Sequence, residues 1–118
     1  MFDFEQQEFD PNISGNDLRV DLTGGANTFI VAKPTGEAAG IYLKTVSLGG
    51  NFDLNSYYGA CHQNINNFLT GTKPMDNPGD LFCWMTNEHR LAVFVIEKIT
   101  GPVGNWNVEI RYLVWTMF

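Results

Sequence analysis

The chain has 118 residues, 44% of them apolar, with nine Phe, four Tyr and three Trp, and its formal net charge is −6. That length fits one β-rich domain over 1–118, and the aromatic content is too high for disorder. The seven basic residues are scattered singly, which argues against nucleic acid, and the longest apolar run, 91–96, is far short of the ~20 residues that span a bilayer.

At the start, Phe2, Phe4 and Gln6 alternate with Asp3 and Glu5, which predicts an edge-type strand. The acidic residues there stand where a secretion signal would carry basic ones and then an apolar run, so no signal peptide is visible. Residues 10–16 are turn chemistry. From 17 to 22, Leu18, Val20 and Leu22 face one way and Asp17, Arg19 and Asp21 the other, the pattern of a strand with one wet face. Further strands are expected over 28–32 and 40–48.

Over 51–70 the period changes. Leu54, Tyr58, Cys61, Ile65, Phe68 and Leu69 recur at mostly three- and four-residue spacing, which predicts an amphipathic helix. Asp53, Asn55 or Ser56 would cap its start and Gly71 would end it, although Gly59 and the Asn residues weaken helix propensity. Strands are expected next at 81–86 and 90–98, joined by the loop Asn87, Glu88 and His89, which reads as a hairpin. Residues 91–96 are apolar on both alternating faces and belong in the middle of a sheet. In the last strand, 108–117, Val108, Ile110, Tyr112 and Val114 share one face, opposite Glu109 and Arg111, and Leu113 and Trp115 turn that second face apolar. The apolar ends of the chain favour burial in the sheet or self-association.

The segments FDFE at 2–5, NDLRVD at 16–21 and PGDLFCWMTNEHRLAVFVI at 78–96 resemble a module that recurs in uncharacterised bacterial proteins, often secreted ones. The resemblance is carried by Phe2-Asp3-Phe4, Asp17-Leu18, Cys83, Thr86-Asn87-Glu88, Arg90, Ala92 and Val114-Trp115. His89 stands where that module usually has glycine. The resemblance implies a β-rich module with no established activity.

Few residues suggest chemistry. Cys61 lies on the apolar stripe of the expected helix and Cys83 alternates with Leu81 and Met85, so both point inward. They read first as two buried thiols and second as a disulfide. Cysteine catalysis needs a thiolate beside a base, and adjacent Cys61 and His62 diverge on a helix. A zinc site from Cys61, His62, Cys83 and His89 lacks paired ligand spacing. Asp10, Asn12 and Ser14, with Gly15 and Asp21, follow the register of a calcium loop, but Pro11 and the strand alternation favour an ordinary turn. Trp106 between Asn105 and Asn107 suits stacking on a sugar while the amides read hydroxyls, against the plainer reading of a Trp folded onto its own core. Tyr57 and the amides from Gln63 to Asn67 form a solvated helix face.

The expected fold is mainly β, an antiparallel β-sandwich or flattened barrel of about six to eight strands with one short α-helix. The leading function is a non-catalytic binding or interaction module with no cofactor, calcium being the one candidate. A protein partner or self-association ranks ahead of carbohydrate. The alternatives are a structural subunit of a virion, filament or surface layer, and then an enzyme. An extracellular or virion-associated setting is favoured over the cytoplasm.

Overall fold

The computed structural model describes residues 2–3, 8–9, 18–23, 29–34, 38–49, 52–71, 73–74, 77–86, 88–102 and 106–115. For the strands before residue 38 and for 73–74 it describes the backbone. Among the described residues the chain is mainly β with one short α-helix. Its strands are β1 (Phe2–Asp3), β2 (Glu8–Phe9), β3 (Leu18–Thr23), β4 (Phe29–Pro34), β5 (Ala39–Thr45), β6 (Lys73–Pro74), β7 (Asp80–Met85), β8 (Leu91–Thr100) and β9 (Asn107–Val114). The central feature is a four-stranded antiparallel sheet in the order β5-β7-β8-β9. The other strands pair antiparallel in the order β2-β1-β3-β4-β6. Pro74 stands on the outermost of these strands, where its missing N–H costs no ladder bond.

β8 is apolar at six successive positions because it is covered on both faces. Ala92, Phe94 and Ile96 join Phe82, Trp84 and Ala38 on one face. Leu91, Val93 and Val95 join Leu81, Cys83, Leu54 and Cys61 on the other. None of the six β8 side chains retains exposure, and burial of each large one stabilises by ~1.5–3 kcal/mol. Phe82 and Phe94 are register partners whose rings stack at 4.9 Å, and Trp84 meets Phe94 edge-on at 5.3 Å. β9 divides as its alternation predicts: Val108, Ile110, Tyr112 and Val114 pack on the Phe82 face, Leu113 and Trp115 on the Cys83 face. Its described strand ends at Val114, short of the expected 117, and 116–118 lie outside the described residues.

Gly40 is required by a close approach. A Cβ there would sit 2.2 Å from Trp84 Cε3 and 2.6 Å from the Cys83 carbonyl oxygen. On its other side the Gly40 backbone exchanges two 2.9 Å hydrogen bonds with Leu69. That pairing is why Leu69, expected on the buried helical stripe, is instead 64% exposed.

The expected single helix over 51–70 is corrected to three short pieces: a 3-10 turn (Leu54–Tyr57), α1 (Tyr58–Gln63) and a second 3-10 turn (Ile65–Asn67). Asp53 caps the first, its carboxylate accepting from the Asn55 N–H at 3.0 Å. The break after α1 falls at Asn64, with φ −101° and ψ 7°, whose side-chain amide donates to the Ala60 carbonyl at 2.8 Å. Such local side-chain bonds compete with helix propagation. Leu54 and Cys61 are the buried anchors that hold these pieces on the sheet.

The β7–β8 hairpin closes with Thr86. Its N–H donates to the Arg90 carbonyl, its carbonyl accepts from the His89 N–H at 3.0 Å, and its hydroxyl oxygen accepts from the Arg90 N–H at 3.1 Å. His89 has φ 61°, the left-handed region in which a side chain is strained and glycine is not. His89→Gly is therefore expected to stabilise the protein by about 0.5–1 kcal/mol. An increase in the urea midpoint at unchanged slope checks this. A decrease would show that the imidazole contributes more than the backbone strain costs.

Candidate functional site

β9 is the outermost strand of its sheet, and among the described strands it pairs with β8 alone. Its backbone phase follows from one bond and the register. The Trp115 N–H donates to the Leu91 carbonyl at 2.9 Å, and the ladder continues through Val93 opposite Leu113 and Val95 opposite Arg111. Backbone groups on a strand alternate sides, so those of residues 111, 113 and 115 face β8. The N–H and C=O of Ile110 point to the outer edge.

On the side-chain face opposite Phe82, β8 and β9 carry a short row of charges. A bulge between Ile96 and Lys98 inserts Glu97, which forms an ion pair with Arg111. Lys98 stands opposite Glu109 in the register, and Lys98, Glu109 and Arg111 are all exposed. The Arg111 guanidinium also lies 5.5 Å from the centre of the Phe52 ring, within cation–π range. On the Phe82 face, burial raises the pKa of the Tyr112 phenol above its usual value, so the hydroxyl stays neutral at physiological pH.

Next to the charged row, the helical pieces supply an aromatic surface. Trp115 Nε1 donates to Asn55 Oδ1 at 2.8 Å, Tyr58 meets Trp115 edge-on at 5.0 Å, and exposed His62 stacks on Tyr58 at 5.7 Å. Phe52 and Tyr57 lie 6.0 Å apart. Outside this network Gln63 and Asn66 are exposed, and Asn67 donates to Asn64.

The residues singled out in the sequence fall in different places. Cys61 and Cys83 are joined by a disulfide, with Cα atoms 5.3 Å apart, so the first-ranked reading of two separate thiols gives way to the second. While bonded, neither sulfur can act as a nucleophile or metal ligand. Trp106 is half-buried and packs on the Phe82–Trp84–Phe94 cluster, Asn107 is exposed opposite Thr100, and Asn105 lies outside the described residues. Of the calcium candidates, Asp10, Asn12 and Ser14 lie outside the described residues, and Asp21 is in β3 opposite Val31. Among the described residues no three His, Cys, Asp or Glu side chains group to hold a metal ion, and no helix is long and apolar enough to cross a membrane.

Sequence reasoning treats Glu109 and Arg111 as an ordinary wet face and misses the row they form with Glu97 and Lys98. The signal is present as opposite charges flanking Ile110 two residues apart. These elements define a mainly β domain, an antiparallel sheet ending in β9 with a helical segment held to it by a disulfide. No protein-family model matches the chain, nor does any curated protein or any solved structure.

Proposed function

We propose that this chain is a non-catalytic protein-interaction module that works by strand addition along the outer edge of β9. One observation carries the reading: among the described strands the eight-residue β9 ends its sheet, and its register with β8 directs the backbone of Ile110 outward. Main-chain groups on such an edge supply affinity, and the side chains on either face select the partner. The charged row and the aromatic surface beside it provide that selection. The Cys61–Cys83 bond supports an extracellular or otherwise oxidising setting.

The finer fold reading is a sandwich. Phe82, Trp84 and Phe94 are fully buried on the face opposite the disulfide, which calls for a covering layer, and the strands paired in the order β2-β1-β3-β4-β6 are the natural source of one. Sugar binding through Trp106 has less support, because its ring packs on the core cluster.

The test is amide hydrogen exchange on the dilute chain, read residue by residue. The Ile110 amide is expected to exchange roughly tenfold or more faster than those of Arg111 and Leu113, whose N–H groups face β8. Equal protection across 110–113 would mean that the edge is already occupied within the chain, and the strand-addition reading would be lost.

A further inference from the structure

We infer that the occupant of this edge is a second copy of the same chain, its β9 antiparallel to the first and related by a two-fold axis through Ile110. The inference rests on the strand-addition reading above and names its partner.

The backbone phase restricts the register. In an antiparallel pair centred on one residue, that residue meets itself, and its N–H and C=O must point across the new seam. Ile110 meets this condition. Glu109 and Arg111 do not, because their backbone groups face β8. Registers centred between two residues pair an outward-facing backbone unit with an inward-facing one and place side chains of opposite faces together, so they are excluded as well.

Charge then selects among the remaining centres. With Ile110 on the axis, Glu109 lies opposite Arg111 of the second copy, and the symmetry repeats the pair. Lys98 flanks Glu109, and Glu97 is paired with Arg111. The row crossing the seam therefore reads Lys98, Glu109, then Arg111 and Glu97 of the second copy, with every neighbour of opposite sign. Cross-strand pairs of this kind stabilise a sheet and like pairs oppose it. Centring on Val108 or Tyr112 leaves Glu109 and Arg111 facing no opposite charge on β9. On the other face, Ile110 meets Ile110 and Val108 lies beside Tyr112 of the second copy. Those residues already pack on the Phe82–Trp84–Phe94 cluster, so the apolar layer continues across the axis. A patch that complements itself about a two-fold is the usual geometry of a homodimer.

Charge exchange tests this without identifying any other partner. Sedimentation at about 0.15 M salt, where the repulsion between two chains of net charge −6 is largely screened, is expected to show a concentration-dependent dimer of the wild type. Arg111→Glu places Glu opposite Glu twice, and Glu109→Arg places Arg opposite Arg twice. Each is expected to weaken the dimer roughly tenfold or more. Mixing the two variants restores Glu opposite Arg at both positions, and a heterodimer is expected at concentrations where neither variant dimerises by itself. Circular dichroism confirms that each is folded, and Glu109→Arg leaves the contacts of Arg111 with Glu97 and Phe52 in place. A wild-type dimer with no recovery in the mixture would overturn this register. A monomer at all concentrations whose Ile110 amide exchanges fast would overturn the second copy and leave strand addition by another partner standing. A monomer with Ile110 protected would end both.

Discussion

Trp84→Ala is expected to cost about 3–5 kcal/mol of folding stability, the largest effect of any single substitution proposed for this chain. Trp84 heads the fully buried side chains, with no exposed surface. It lies on a strand flanked by neighbours on both sides, so the backbone cannot close over the space its ring leaves. The ring also fixes its surroundings: Phe94 packs edge-on against it, and Gly40 exists as glycine because the indole occupies the place of a Cβ. Domains of this size are commonly stable by only ~5–15 kcal/mol, so the variant should be marginal at 37 °C. Urea unfolding measures the loss. A cost below about 1 kcal/mol would show that the Phe82 face is loosely packed and would remove the main support for a covering layer there.

Breaking the Cys61–Cys83 bond is expected to cost about 3 kcal/mol, read as a fall in melting temperature of roughly 10–20 °C. The bond joins positions 22 apart in sequence, and much of its effect arises in the unfolded chain, whose freedom it restricts. It also carries much of the attachment of the helical pieces, in which Leu54 and Cys61 are the only buried residues among those described. Melting the native protein with and without reductant gives the effect directly. Cys61→Ala combined with Cys83→Ala separates it from reagent effects. A shift under about 3 °C would mean that packing alone holds the helical segment to the sheet.

Local pattern carried most of the sheet. The six apolar residues of β8 announce a strand covered on both faces, and the change along β9 from Arg111 to Leu113 marks where the helical segment begins to cover it. Both follow from alternation, which is visible in a single stretch of chain. The features that were missed depend on neighbours distant in sequence. Apolar spacing over 51–70 suggests one helix, but it does not reveal that Leu69 pairs with Gly40 or that Asn64 turns back on Ala60. The disulfide could only be ranked, because inward-pointing cysteines do not disclose their separation. The charged row was hidden for a related reason. Glu97 reaches the side of Arg111 through a bulge, and bulges leave little trace in composition.

The covalent bridge between the helical segment and β7 also determines how the protein bears load. A pulling force transmitted along the chain would pass from residue 61 to residue 83 through sulfur, leaving the intervening segment slack. At about 3.4 Å per residue, some 75 Å of extension stays locked until the sulfurs part, so a tether made from this domain yields less far before it stiffens.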